Sequence, residues 1–286
     1  MTLNRIVYLN GAWLEEADAK ISIFDRGFLF ADAIYEVTAV IGGKLIDYAG
    51  HAARLQHSTT ELGIRCPLDP DALLAVHRDI VLRNAVDEGL IYLQISRGAA
   101  DRDFAYPENT TPTLVLFTQA KPVLNNPRIK TGISIATLPD WRWERRDIKT
   151  VQLLYPSMAK MEAVNRGADD AWLVEDGFVT EGSAATAHIV TRDGTLVTRP
   201  LSNAILHGIT RASIIDLARN AGIAVEERAF TVDEARAAAE AFITSATNFV
   251  LPVVRIDGQT IGDGVPGPIS KRLRAAYIES RLASAI

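Results

Sequence analysis

The sequence predicts an α+β fold in two domains. Three observations predict it. Strand-like runs occur in both halves, helical stretches interrupt them without strict βαβ alternation, and a turn-rich segment, Lys121-Pro122 to Asn126-Pro127, lies between the halves. At 286 residues the chain has room for two modest domains or one large one. The expected division is 1–121 as a small N-terminal α/β domain, 122–131 as a linker and 132–286 as a larger C-terminal domain.

The first element is a hairpin, Ile6 to Leu9 and Ala12 to Leu14, because Asn10-Gly11 between apolar runs favours a tight reversal. A second, Tyr35 to Val40 and Lys44 to Ile46, turns at Gly42-Gly43. Residues 49–64 carry apolar groups at helical spacing (Ala52, Leu55, Leu62), as do residues 70–87. Strands are expected at Ile91–Ile95 and Thr113–Phe117, with a polar loop from Arg97 to Pro112 between them. Beyond the linker, Gly132–Ala136 reads as a strand and Ser157–Val164 as a helix. Short strands follow at Ala171–Val174 and His188–Val190, then an amphipathic helix from Thr210 to Ala221. Phe242–Thr244 reads as a buried strand ending in the small-residue turn Ser245 to Asn248.

Composition narrows the class. Hydrophobic content of 48% and charged content of 23% are those of a globular protein, and a net charge of −5 offers no footprint for nucleic acid. No apolar run is long enough to cross a membrane as a helix, and Met1 to Glu15 lacks the apolar core of a secretory leader. Cys66 is the single cysteine, so neither an internal disulfide nor a cysteine metal cluster is expected, and His57, His77, His188 and His207 lack ligand spacing. A cytoplasmic protein is the expectation.

Three groups in the C-terminal half carry chemistry. Lys149 stands beside Val151-Gln152-Leu153-Leu154, a run expected to be buried; desolvation there lowers a lysine pKa and frees the amine as a nucleophile and proton carrier. The alternative is a surface charge, the reading also given to Lys160. Glu181, after Val179-Thr180, is either a turn carboxylate or a partner for a cationic ring nitrogen. Gly208-Ile209-Thr210-Arg211 opens a helix whose free N–H groups suit an anion, or else Thr210 is an ordinary cap. Ser245, Ala246 and Thr247 add donors, and Arg54 offers a bidentate phosphate clamp unless it is a surface arginine. An amine, a carboxylate and a phosphate cradle are what pyridoxal 5′-phosphate (PLP) requires.

In combination these residues resemble the fold-type IV PLP enzymes, the group of branched-chain and D-amino acid aminotransferases. The likeness runs through Asp25-Arg26-Gly27, Tyr35-Glu36-Val37, His51 with Arg54-Leu55, Arg97-Gly98, Lys149, Thr180-Glu181-Gly182 and Gly208-Ile209-Thr210-Arg211. The spacing from Lys149 to Glu181 matches the family's and singles out Lys149. The resemblance implies a PLP-binding C-terminal domain, with Lys149 joined to the cofactor and Glu181 at its ring nitrogen. It also puts Arg54, Ile209, Thr210 and Thr247 at its phosphate, Leu206 against its ring, and predicts a homodimer; Ser245 and Ala246 are expected among the other cofactor contacts. Within the group, Arg97-Gly98-Ala99-Ala100-Asp101-Arg102 looks most like the D-amino acid aminotransferases. There a loop Arg-Gly-x-x-x-Arg-x-His reaches in from the neighbouring subunit and traps the substrate carboxylate with an N-terminal tyrosine. Tyr35 and Arg102 match; the histidine is replaced by Phe104, which predicts weaker carboxylate capture and a more apolar pocket. Substrate contacts are thus expected from Tyr35, Val37, Arg102 and Phe104. The implied activity is transfer of an amino group from a D-amino acid, and by extension an (R)-amine, to a 2-oxo acid such as pyruvate or 2-oxoglutarate. The alternatives are a branched-chain L-amino acid aminotransferase and a lyase of the aminodeoxychorismate type.

Overall fold

The structure is a computed structural model that describes residues 5–286. Met1 to Asn4, part of the stretch read for a leader, lie outside the described residues. The chain divides into two compact units. One takes the chain up to Val123 with Ile148–Gln152 and Ser284–Ile286; the other takes Leu124–Asp147 and Leu153–Ala283.

The first unit contains β1 (Ile6–Leu9), β2 (Ala12–Glu15), α1 (Arg26–Phe30), β3 (Ala33–Ile41), β4 (Lys44–Leu45), α2 (Tyr48–Leu62), α3 (Pro70–Arg83), β5 (Glu88–Ser96) and β6 (Thr113–Ala120). Six described strands form an antiparallel sheet in the order β2-β1-β6-β5-β3-β4. Asn10 (φ 50°) and Gly11 (φ 94°) turn the first hairpin, as their types require. Asp69 caps α3 by accepting from Ala72 N–H at 2.8 Å, with Pro70 preset at the first turn. The helix expected over 70–87 stops at Arg83, because Ala85 takes a left-handed φ of 47°. Ile34, Leu45, Ile80, Ile91, Leu93 and Ile95 are buried in this unit's core.

The second unit contains α4 (Arg128–Thr131), β7 (Ile133–Pro139), α5 (Leu154–Asn165), β8 (Asp170–Glu175), β9 (Phe178–Gly182), β10 (Thr186–Val190), β11 (Leu196–Thr198), α6 (Ile209–Asn220), β12 (Val225–Glu227), α7 (Val232–Ala237), β13 (Glu240–Ser245), β14 (Phe249–Ile256), β15 (Gln259–Thr260) and α8 (Pro268–Ala283). Its mixed sheet runs β12-β11-β10-β13-β14-β7-β8-β9, with β15 on β14. The pairs β7–β8, β7–β14 and β11–β12 are parallel. Trp172, Phe230, Ile189 and Val197 lie in one core cluster.

One expectation fails here, and one alternative reading is set aside. The run after Lys149 is not buried: Gln152, Leu153 and Leu154 are exposed. The helix they lead into buries the small Ala159 and Ala163 on Ala136, Leu138, Ala171 and Leu173, with Tyr155 partly buried against them, while Leu154, Met158, Met161 and Val164 stay exposed. Glu181 is not in a turn but on β9, 4% exposed. Lys160, read as a solvated charge, donates to the Asp169 carbonyl and pairs with Asp170 at 3.2 Å. Among the described residues no helix is long and apolar enough to cross a membrane, and no cluster of His, Cys, Asp or Glu is arranged to hold a metal ion.

Candidate active site

In the first unit, β3 sorts its side chains by alternation. Tyr35 and Val37 are half-buried on one face, while Glu36 and Thr38 are buried on the other. Behind the strand, on α2, Arg54 donates Nε to Glu36 Oε1 at 2.7 Å and Nη2 to Oε2 at 2.8 Å. His51 Nδ1 meets the same carboxylate at 2.8 Å. Burial would raise the Glu36 carboxyl, but Arg54 and His51 outweigh it and hold it well below the usual range. The edge of Arg54 that suits a phosphate bidentately is therefore engaged by Glu36.

Residues 148–152 lie along β3. Tyr35 N–H donates to Lys149 O at 3.0 Å, Val151 N–H to Ala33 O at 3.1 Å, and Lys149 N–H to Ser58 Oγ at 3.1 Å. Lys149 is half-buried, and its Nζ stands 4.2 Å from the centre of the Tyr35 ring. That ring stacks on Tyr92 at 5.5 Å, and Tyr92 on Phe117 at 4.8 Å. A cation over an aromatic face is favourable and leaves the donors of the amine directional.

The loop after β5 is pinned at its base. Arg97, 7% exposed, grips Asp32 through Nε at 2.7 Å and Nη2 at 3.1 Å, and donates to the carbonyls of Leu62 and Gly63. Arg26 shares Asp32 at 2.7 Å and donates to Asp103 O at 2.7 Å. Arg102 is exposed, with its guanidinium 5.6 Å from the Phe30 ring and 5.4 Å from Phe104. Among the described residues it makes no ion pair. Phe104 sits edge-on to Phe30 at 5.7 Å and remains 78% exposed. The first arginine of the loop is thus a structural clamp, and the second is presented outward on rings.

In the second unit, Glu181 belongs to a chain of charges that the sequence alone does not reveal. Asp140 accepts from Arg142 Nε at 2.9 Å, from Arg142 Nη2 at 2.6 Å and from Thr180 Oγ1 at 2.6 Å. Arg142 Nη1 donates to Glu181 Oε1, and Leu206 N–H points at Glu181 Oε2 at 3.2 Å. Burial opposes ionisation of both Asp140 and Arg142. Their mutual contact, with Glu181, outweighs it, lowering the aspartate and raising the arginine. Arg142 is the residue that sequence reasoning missed. Its signal is Asp140-x-Arg142 at the end of one strand, facing Thr180-Glu181 on another.

Helix α6 starts at Ile209 with Gly208 as its N-cap, and no side chain caps it. Thr210, buried at 3%, is inside the first turn rather than the cap. A Cβ on Gly208 would come 2.8 Å from Thr186 Oγ1, so the helix start approaches β10 too closely for a side chain. Thr186 pairs with Thr244 on β13, which brings the following turn, Ser245 to Asn248, to the same end of the sheet. Ser245, Ala246 and Thr247 are half-buried there. An uncapped helix start beside a hydroxyl-bearing turn is a donor set for phosphate, and a carboxylate held by Arg142 is an acceptor for a pyridinium N–H. These residues fit PLP.

The class IV amino-transferase family model matches residues 33–256. The chain belongs to the class IV aminotransferases. Members use PLP, and this chain is a PLP-dependent aminotransferase. A D-alanine aminotransferase of Bacillus licheniformis is 38% identical over 279 residues, covering 97% of each chain. One from Staphylococcus aureus (strain MSSA476) is 36% identical over 280 residues, 96% of this chain and 98% of the other. Among solved structures, the branched-chain aminotransferase of the thermophilic archaeon Thermoproteus uzoniensis, with norvaline, superposes with a TM-score of 0.84 at 26% identity, over 98% of this chain and 95% of that one. The Escherichia coli branched-chain enzyme gives 0.91 at 22% identity, over 97% and 95%, and shares the fold.

Proposed function

We propose that this class IV aminotransferase moves the amino group of a D-amino acid to a 2-oxo acid, with pyruvate or 2-oxoglutarate as acceptor and (R)-amines as further donors. The observation that carries the reading is Arg102, an outward-facing guanidinium seated on two phenyl rings and paired with no acid among the described residues. Such a group is ready for a substrate carboxylate. The identity to D-alanine aminotransferases supports it.

In this reading Lys149 is the catalytic amine, and Glu181 meets the ring nitrogen of the cofactor. Ile209, Thr210, Ser245, Ala246 and Thr247 meet its phosphate, joined by Arg54 in the orientation that Glu36 sets. Leu206 packs on the ring, and Tyr35, Val37, Arg102 and Phe104 border the donor. Bound PLP supplies an aldehyde for the incoming amine and a ring that accepts the electrons left when the donor's Cα–H bond breaks. Lys149 Nζ takes that proton. Arg142 aims Glu181, while Tyr35 and Arg102 orient the carboxylate. A homodimer and a cytoplasmic setting belong to the same proposal. The exposed apolar side chains Ile23, Phe24, Phe28 and Phe104 favour a covering second copy.

The test is a panel of both enantiomers of alanine, glutamate and leucine, plus an (R)-amine. Each is offered with pyruvate or 2-oxoglutarate while the absorbance of the bound cofactor is followed. D-alanine should convert the cofactor and L-leucine should not. Preference for L-leucine would establish the branched-chain reading, and pyruvate released from aminodeoxychorismate without an acceptor would establish the lyase.

A further inference from the structure

Arg274 lies on α8 and is 6% exposed. Its guanidinium donates from Nη1 to the carbonyls of Asn248 at 2.5 Å and Val250 at 2.8 Å, and from Nη2 to Leu124 O at 3.2 Å. Between the first two carbonyls stands Phe249, at a φ of 57°, a left-handed conformation that a bulky side chain seldom takes. Its ring is buried, 5.0 Å from Tyr277 and 5.7 Å from the Arg274 guanidinium. Backbone in that region persists only where its surroundings enforce it. Arg274 grips the carbonyls to either side, and the pairing of Phe249 with Ser245 holds it as well. The start of α8 is itself fixed, since Glu240 accepts from Ile269 N–H at 2.7 Å and Ser270 N–H at 2.9 Å. Gly267 passes so close that a Cβ there would come 2.0 Å from Glu240 Cδ. Asn126 adds a weaker tie to the Asn248 side chain at 3.5 Å.

The residue before Phe249 closes the turn that joins β13, which ends at Ser245, to β14, with Ser245 paired in register with Phe249. Within the turn, Asn248 N–H donates to Ser245 Oγ at 3.2 Å. We propose that Arg274 is a positioning residue for the cofactor phosphate, holding the Ser245–Asn248 turn through the carbonyls that flank Phe249. The proposal rests on the reading that this turn meets the phosphate. Burial pushes the Arg274 guanidinium down to about 10, so it remains a cation at neutral pH. A methionine fills much of the same space without the donors. A lysine keeps the charge, but its single ammonium cannot span three carbonyls.

The experiment compares full-length wild-type protein with Arg274→Met and Arg274→Lys, each freed of cofactor and titrated with PLP and with pyridoxal, which lacks the phosphate. In both variants the dissociation constant for PLP should rise about tenfold or more, the loss of charge-assisted hydrogen bonds acting through the turn. That for pyridoxal should stay within about twofold. Backbone amide exchange over 245–250 should also quicken. A purely structural role would weaken both ligands alike, and that result overturns the proposal. So do unchanged PLP affinity, and a failure of both variants to fold, which would make Arg274 a folding residue. Wild-type protein that does not bind PLP would sink the transaminase reading as well, so the two failures are told apart.

Discussion

The two units hold their functional groups by different means. In the first, Lys149 and Arg102 rest on the faces of Tyr35, Phe30 and Phe104, contacts that constrain position but leave N–H donors unclaimed. In the second, Glu181 is fixed by Arg142 and a backbone N–H, with Asp140, Thr180 and Arg146 behind it. The difference follows from the tasks proposed for them. A carboxylate that must keep one protonation state and one direction gains from buried charge-assisted bonds, whose geometry is narrow. An amine that must move a proton, or an arginine that must receive a changing ligand, gains from a seat that leaves its hydrogen bonds open.

Six substitutions break or sharpen that contrast. The largest effect belongs to Lys149→Ala, which removes the proposed catalytic amine. Multiple-turnover rate should fall by about a thousandfold or more, the upper range for loss of a general base. Steady-state kinetics that retain a tenth of wild-type activity would remove Lys149 from the role.

In the second unit, Glu181→Gln should lower kcat by roughly a hundredfold, the worth of a strong charge-assisted bond. Arg142→Met should lower kcat less, since Leu206 N–H still aims Glu181. It should cost about 3 kcal/mol of stability by leaving Asp140 and Glu181 buried with less compensation. Denaturant titration of the bound enzyme checks the second figure, and an unchanged midpoint would show that Arg142 does not bear on the fold.

In the first unit, Arg102→Ala should raise KM for D-alanine by about tenfold while leaving an (R)-amine without a carboxylate nearly unaffected. Equal losses on the two donors would show that Arg102 is not the carboxylate contact. Phe104→His should shift the ratio a few-fold the other way, by adding a donor where a ring now stands.

The smallest effect is a dependence on pH. Burial pushes His77, in the first unit, down to about 4, and His188, in the second, down to about 3, both from 6.5. Each folded-state value is depressed, so the stability it reports is full above about 6.5 and is lost as pH falls toward those values. The slope is at most about 1.4 kcal/mol per pH unit for each histidine. His188 stacks on Phe242 at 4.7 Å, and its Nε2 meets Thr244 Oγ1 at 3.0 Å. His77 holds Leu73 O at 2.7 Å. Melting temperatures between pH 7 and 4 should fall less steeply in His188→Asn. An identical slope would assign acid sensitivity elsewhere, with Glu36, also depressed, as the next group to test.

Local chemistry was legible in the sequence where one residue type decides a conformation. Asn10-Gly11 announces its hairpin, and Gly208 marks the start of α6. The family-specific residues carried the fold type and the aminotransferase activity, as the family match bears out. Contacts between distant elements were not legible. Arg142 gains meaning only when β8 sets the end of β7 near β9, and Arg274 only when α8 returns to β14. Helix α8 itself drew no expectation, because its inward side mixes Ser270 and Arg274 with Leu273 and Tyr277 and so blurs the apolar period. Strand β14 carries Pro252 at its centre, which reads as a breaker although it pairs in register with Phe242.

The short stretch bearing Lys149 has a mechanical consequence. Backbone bonds at residues 149 and 151, and a bridge from Thr150 to Ile34, fasten it to β3 and α2. The pivot is therefore stationary, and four methylenes form the whole of the moving arm. Travel of the terminal nitrogen is set by side-chain torsions alone, so an arm one carbon shorter on the same mount would sweep a smaller arc without disturbing its bearing.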